Sequence, residues 1–201
     1  MSPSDDGVDA RGDELVDESA RPESARDAAA PDPPRVLVDV MCGSLATYLR
    51  MCGYDAAYAL DRDVEADDRL LALAADEGRL LLTRDRELAS RADGDGPGAV
   101  RLTERDVLDQ LREVAAAGLP VELAATPTRC GDCNGPVERV GEGGVAVPPG
   151  ARPDYVPDDV GAAPASDADA EPRPAWRCRD CGRWFWKGGH WESVAARLDD
   201  L

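Results

Sequence analysis

Along residues 35–118, short runs of aliphatic side chains alternate with stretches in which aliphatics return every three or four positions, the change of period that separates strands from helices. Arg35-Val-Leu-Val-Asp39 is an apolar run ended by an aspartate and reads as a buried strand. Leu45, Leu49 and Cys52 then recur at helical spacing, and Gly53 stands where a helix C-terminal cap belongs. Tyr54 to Leu60 predicts a second strand, although its alanines are poor strand formers. Asp67 and Asp68 open a helix with Leu70, Leu71, Leu73 and Ala74 on its inner face, and Gly78 closes it before the strand Arg79-Leu-Leu-Leu-Thr83. A short helix from Asp85 to Arg91, a turn at Gly94-Asp-Gly-Pro-Gly98 and a fourth strand from Ala99 to Leu102 follow. Thr103-Glu-Arg-Asp106 matches a capping box, with Leu102 and Val107 as its hydrophobic staple. The helix after it turns Leu108, Leu111, Val114 and Ala115 inward and ends at Gly118. Four strands alternating with four helices predict an α/β fold over residues 35–125, with a parallel sheet covered by helices on both faces.

The flanks read differently. Residues 1–34 hold ten acidic and three basic side chains with almost no large apolar ones, so they cannot offset the entropy of ordering and are expected to form a disordered acidic tail. Residues 126–201 contain two Cys-x-x-Cys knuckles, Cys130-Gly-Asp-Cys133 and Cys178-Arg-Asp-Cys181, separated by a stretch at 141–175 rich in Gly, Pro, Ala and Asp. That composition predicts an unstructured insertion. Four thiolates in two such pairs suit a tetrahedral structural Zn²⁺, so the C-terminal part reads as a small zinc ribbon with Cys130, Cys133, Cys178 and Cys181 as ligands. A module of this size depends on its metal to fold, which predicts that chelation loosens residues 126–200 while the α/β domain persists. Cys42 and Cys52 lack such partners and fall within an apolar pattern, as small buried hydrophobes do.

Charge changes the picture further. The chain has 41 acidic and 23 basic residues, a formal net charge of −18, and a single lysine, Lys187. Such a hydrated, lysine-poor acidic surface suits a cytoplasm at very high salt, and a GC-rich genome alone also favours arginine and alanine over lysine. Free thiols, no apolar signal segment and no apolar run near 18 residues point to a cytoplasmic protein outside the membrane. Against this acidic background the sixteen residues Trp176 to Trp191 hold all four tryptophans and the only phenylalanine, lysine and histidine. Arg177, Arg179, Arg183 and Lys187 there oppose only Asp180, the make-up of a surface for a polyanion. Trp176, Trp184, Phe185, Trp186 and Trp191 can either pack the ribbon or stack on bases. His190 reads as a packing or hydrogen-bonding residue because four cysteines already complete the metal site.

Acids recur where a parallel sheet binds its ligands, at the carboxyl ends of the strands. Asp39 ends the first strand, Asp61 and Asp63 follow the second, Asp67 and Asp68 begin the next helix, and Asp85 stands two residues beyond the third. Converging carboxylates need a hard cation, Mg²⁺ or Mn²⁺, and such a site can activate water for phosphoryl displacement. Asp also caps helices, which is the competing reading for Asp67, Asp68 and Asp85. A phosphoacceptor receiver is excluded, because no acidic pair follows the first strand and no lysine follows a fifth.

Taken together, Val38-Asp-Val-Met-Cys-Gly-Ser-Leu-Ala-Thr-Tyr-Leu-Arg-Met-Cys-Gly-Tyr-Asp55, Asp68-Arg-Leu-Leu71, Glu77-Gly-Arg-Leu-Leu-Leu-Thr-Arg-Asp-Arg-Glu-Leu88, Cys130-Gly-Asp-Cys-Asn-Gly-Pro136 and Cys178-Arg-Asp-Cys-Gly-Arg-Trp-Phe-Trp-Lys-Gly-Gly-His-Trp191 resemble the Mut-seven C-terminal (Mut7-C) ribonuclease family. The resemblance implies a PIN-like nuclease domain followed by a zinc ribbon, with RNA as partner and substrate. It implies that Asp39, Asp68 and Asp85 form the catalytic, metal-binding acidic set and that Arg50 and Arg84 lie near it. No fourth acid is placed. Arg50 and Arg84 are candidates to clamp phosphate or to pair with the site's own acids, and Arg179, Arg183 and Lys187 are the ribbon's candidates for nucleic-acid contact. The implied function is Mg²⁺- or Mn²⁺-dependent hydrolysis of RNA, with a non-catalytic RNA-binding or adaptor protein as the alternative.

The net charge of −18 carries a first prediction. Salt screens self-repulsion among the carboxylates, so the melting temperature rises from about 0.1 M to about 3 M KCl, where the Debye length is a few ångströms or less. A thermal-melt series in KCl checks this, and a flat or falling curve refutes the high-salt reading.

Overall fold

The structure, a computed structural model, describes residues 33–141, 144–145, 152–162 and 171–201. The predicted acidic tail lies almost wholly outside the described residues, as does part of the predicted insertion. Four parallel strands, β1 (Val36–Val38), β2 (Ala56–Tyr58), β3 (Leu80–Thr83) and β4 (Ala99–Arg101), form one sheet in the order β2-β1-β3-β4. Between and after them run α1 (Gly43–Met51), α2 (Asp67–Glu77), α3 (Arg86–Asp95) and α4 (Val107–Ala116). Alternation along the strands divides the core into two layers. Val36, Val38 and Leu82 face Leu45, Leu49, Leu111 and Val114 from α1 and α4, while Leu37 and Leu81 face Leu70, Ala74, Leu88 and Ala92 from α2 and α3. All are buried, so each large aliphatic contributes roughly 2 kcal/mol. Cover on both faces is the reason these strands read as unbroken apolar runs.

Three boundaries differ from the expectation. The second strand is shorter than Tyr54 to Leu60, because Tyr54 is buried before it with its hydroxyl donating to the Pro120 carbonyl (2.8 Å), and Leu60 already begins a 3₁₀ turn. The helix after Asp85 continues to Asp95, past Arg91. At the last helix of this layer the cap is Asp106, whose side chain accepts from the Leu108 amide (2.9 Å). Thr103 does not cap it. Its amide and hydroxyl bond the Glu113 carboxylate instead, so the chain bends back on the helix flank before the helix begins.

The C-terminal part adds an antiparallel sheet, β5 (Val137–Val140), β6 (Ala175–Cys178) and β7 (Trp184–Trp186), in that order. A helix that the periodicity did not announce, α5 (Gly189–Asp199), follows and brings Val194 and Leu198 into the α1/α4 core layer. Its Arg197 donates to the Tyr48 hydroxyl on α1 (3.0 Å). The segment predicted to be an unstructured insertion is also partly ordered. Val156 and Val160 are buried with Val140, Ala175 and Trp184, and Arg173 grips Asp159 through two bonds of 2.6 and 2.7 Å. An ion pair beside a small apolar cluster supplies order that composition does not advertise.

Asp55 sits where the two sheets' supports meet. Its carboxylate accepts from Arg79 (2.8 Å), Asn134 (2.6 Å) and Arg35 (3.0 Å), and Arg79 is itself buried. Partial burial alone raises the carboxyl pKa, but the donors from Arg79, Asn134 and Arg35 outweigh it and hold the group well below the usual carboxylate range. A carboxylate depressed in the folded state contributes stability that is present above its unfolded pKa of about 3.9 and is lost as pH falls below it. Asp55→Asn leaves the buried Arg79 with Glu77 as its remaining carboxylate among the described residues and is expected to cost about 2 kcal/mol at neutral pH. Urea unfolding at a series of pH values checks both parts, since the deficit shrinks as pH drops below about 4.

Candidate functional site

The carboxyl end of the parallel sheet gathers two of the three expected acids. Asp39 directly follows β1, is 3% exposed, and accepts from the Val40 amide through Oδ1 (2.6 Å). Thr83, the last residue of β3 and fully buried, donates its hydroxyl to Asp39 Oδ2 (2.6 Å) and accepts from the Asp85 amide (3.0 Å). One hydroxyl therefore ties the two aspartates' segments together across neighbouring strands. Asp85 is the N-cap of α3, with Oδ1 accepting from Glu87 (2.7 Å) and Leu88 (2.9 Å). Its Oδ2 accepts no hydrogen bond among the described residues. Thr83 was not anticipated, and its signal was the one polar residue closing the run Leu-Leu-Leu-Thr.

Asp68 stands elsewhere. It lies in the first turn of α2 with its side chain 86% exposed and is ion-paired with Arg91 of α3, while Asp67 lies 3.8 Å from the same guanidinium. The three acids do not form a closed ligand set. Asp39 and Asp85, whose segments Thr83 joins, offer oxygen donors of the kind a hard divalent cation takes, and Asp68, paired with Arg91, does not join them.

The two arginines part company. Arg50 is buried on α1, and its donors go to the Ala56 carbonyl (2.8 Å), the Gly131 and Asp132 carbonyls (3.1 and 2.6 Å) and Asp61 (3.0 Å). Such a guanidinium is consumed by the protein itself. Arg84, between Thr83 and Asp85, has a buried Nε without a partner and no ion pair among the described residues. Beside it Cys42 is buried, its thiol pushed up to about 11 first by burial and then by Asp39. Cys52 is likewise raised to about 12 by burial, so both behave as inert apolar groups. Gly43, in the motif just after Asp39, lets Tyr58 approach: a Cβ there would lie 2.9 Å from the Tyr58 hydroxyl, which donates to the Val40 carbonyl (2.9 Å).

The second centre is the thiol cluster. Cys130 and Cys181 sulfurs lie 3.7 Å apart, Cys133 and Cys178 sulfurs 3.5 Å, and all four fall within 4.8 Å of one another. Tetrahedral zinc with bonds of about 2.3 Å separates its sulfurs by about 3.8 Å. The four thiols can hold such an ion, and among the described residues they are the one set of three or more candidate ligands this close. Gly135 makes room beside them, because a Cβ there would overlap the Asp180 carboxylate and come within 3.0 Å of Cys178 Sγ. Burial raises the Cys130 and Cys133 thiols, whereas Cys181 is lowered, its burial outweighed by the Arg183 amide and the neighbouring thiols.

Around this knuckle the predicted basic residues each have one acceptor and remain exposed. Arg179 Nε meets Glu138 (2.7 Å), Arg183 Nε meets Asp132 (2.8 Å), and Lys187 donates to the Ala125 carbonyl (2.6 Å) while lying 5.7 Å from the Trp191 ring centre. No helix among the described residues is long and apolar enough to cross a membrane.

Residues 34–198 match the model of the Mut7-C RNase domain, covering both sheets and the thiol cluster. The chain belongs to that family. No curated protein and no solved structure gives a significant match. Membership in the Mut7-C family makes the chain one built on an RNase domain, an α/β unit with a parallel sheet followed by a cysteine-rich ribbon.

The Mut7-C knuckle touches the sheet itself, which revises the expectation that chelation spares the α/β part. Asn134, directly after Cys133 and at φ 65°, accepts the Ala56 amide of edge strand β2 (2.9 Å). Metal analysis is expected to find about one zinc per chain, lost in Cys178→Ser. Binding displaces protons from thiols that burial keeps protonated, so zinc affinity rises with pH. In the chelated protein, hydrogen exchange speeds up at the Ala56 amide before the Leu37 and Leu81 amides of the sheet interior. Unchanged protection at Ala56 after metal loss contradicts the coupling.

Proposed function

We propose that the chain hydrolyses RNA phosphodiester bonds at the carboxyl end of the parallel sheet, with the zinc-loaded ribbon helping to hold the substrate. The observation that carries the reading is the Asp39–Thr83–Asp85 arrangement in a Mut7-C RNase domain. Asp39 is buried and braced on both oxygens, so its orientation is set before substrate arrives. Asp85 offers a free carboxylate oxygen on a capped helix, and Asp39 and Asp85 are the residues that would hold the cation. A bound Mg²⁺ or Mn²⁺ supplies Lewis acidity and a metal-activated water. Arg84, next to Asp85 in the chain, has a buried Nε without a partner among the described residues and is assigned to a phosphate oxygen, whereas Arg50 is committed to the knuckle. Zinc fits the four thiols, and its role is to fix the knuckle on which Arg179, Arg183 and Lys187 are displayed. Cytoplasmic RNA is the substrate class we assign.

One observation favours a second reading. The pairing of Asp68 with Arg91 leaves the family's acidic set incomplete, as in an RNA-binding adaptor without turnover. A cleavage assay separates the two: single-stranded RNA, zinc-loaded protein at high salt, with and without added Mg²⁺ or Mn²⁺. Asp39→Asn, isosteric and without charge, is expected to lower turnover by about 10³-fold or more, with folding and RNA binding retained. Equal cleavage by Asp39→Asn excludes this pocket as the active site, and no cleavage by the wild type leaves the adaptor reading.

A further inference from the structure

The aromatic residues of the ribbon are not all used for packing. Trp176 and Trp184 are 6% and 5% exposed and are buried in the small sheet. Phe185, Trp186 and Trp191 are only partly buried, and Tyr155, 57% exposed, leans in from the ordered part of the insertion with its hydroxyl accepting from the Trp184 amide (3.1 Å). These four rings, with His190 and Arg183, line an open hollow of about 710 Å³ beside the thiol cluster. Among the described residues no carboxylate lines it, in a chain where acids outnumber bases 41 to 23.

We propose that this hollow is a stacking site for an unpaired nucleobase of single-stranded RNA, a role that rests on the RNA-directed reading above and extends it to a specific subsite. Three observations select that occupant. Flat π faces left partly open are what a base needs, and they are tolerant of base identity. The rim is cationic: Arg183 has only its Nε against Asp132 with the side chain 54% exposed, and Lys187 already lies over Trp191, so a cationic ligand meets repulsion and a phosphate attraction. The hollow is also large enough for a base and its ribose, and is held open by the sheet on one side and α5 on the other. Duplex RNA hides its base faces and does not fit. Gly188 is part of the design, because a Cβ there would press on Trp186 Nε1 at 3.0 Å.

The test measures binding without turnover. Zinc-loaded protein carrying Asp39→Asn is titrated, without added Mg²⁺ or Mn²⁺ and at high salt, with a short single-stranded oligoribonucleotide, an abasic oligomer of the same length and a duplex. Tryptophan fluorescence and a dye-labelled competitor are the readouts. The intact single strand is expected to quench tryptophan and to bind about tenfold or more tighter than the abasic strand. Trp191→Leu and Phe185→Leu, separately, are expected to remove most of that difference while abasic binding stays unchanged. Equal affinity for intact and abasic strands, or variants that bind the intact strand as the parent does, overturns the stacking site. The comparison of the two strands on unaltered ribbon residues stands even if a variant misfolds. Quenching together with no cleavage in the parallel assay refutes the nuclease reading alone, and cleavage without quenching refutes this site alone.

Discussion

The clasp at Ala56 is the contact on which the rest of the molecule depends. In a parallel edge strand one residue turns both its amide and its carbonyl outward, and leaving them unpaired in a buried joint costs free energy. Here Asn134 takes the Ala56 amide and Arg50 supplies the Ala56 carbonyl, so two side chains complete the ladder that a fifth strand would have made. Arg50 is nearly inaccessible and has only Asp61 as counter-charge, which obliges its remaining donors to find carbonyls. Gly131 and Asp132 provide them from within the cysteine knuckle. The conformation of that knuckle is set by where its thiols meet, so the thiol cluster, the guanidinium and the sheet edge constrain one another.

The C-terminal helix makes the same connection from the other side. Val194 and Leu198 enter the core layer shared by α1 and α4, so residues some 150 positions apart in sequence close one hydrophobic cluster. The change of architecture near residue 126 is therefore a change of sheet without an end to the core. Such an arrangement holds the ribbon's basic and aromatic face in a fixed place relative to the α/β part. Contacts of this span form late and slowly, because loop closure must precede them.

The four strands and their flanking helices were legible because their chemistry is local. Strands buried on both faces must be apolar throughout, and Leu37 and Leu81 show it as plainly as Val36 and Val38. The thiol cluster was legible because spacing alone brings two ligands of a pair together. What was not legible depends on partners far along the chain. Nothing around Arg50 distinguishes it from Arg84 until Gly131 and Asp132 arrive from 80 residues away. The order at Val156 and Val160 hangs on Asp159 meeting Arg173, which composition averages out. At the last helix of the sheet domain the misreading was local: Thr103 and Asp106 both suit a cap, and the Glu113 carboxylate drew Thr103 away.

Residue types that look equivalent in this sequence are thus separated by one criterion, whether the protein has already used their interactions. Arg50 has none to spare and is structural, while Arg84, next to Asp85 in the chain, keeps a buried nitrogen without a partner among the described residues. Trp176 and Trp184 are buried in the small sheet, whereas Trp186, Trp191 and Phe185 keep part of their surface open to the hollow. Among the acids, Asp55 is saturated by arginine and asparagine, Asp68 is satisfied by Arg91, and Asp39 is held by one amide and one hydroxyl with no cation against it among the described residues. Held in this way, the Asp39 side chain sits at the end of a parallel strand, where ligands bind in sheets of this kind. The proposed chemistry is placed at Asp39 rather than at the more numerous exposed acids around it because this carboxylate is buried, held on both oxygens and tied through Thr83 to the segment of Asp85.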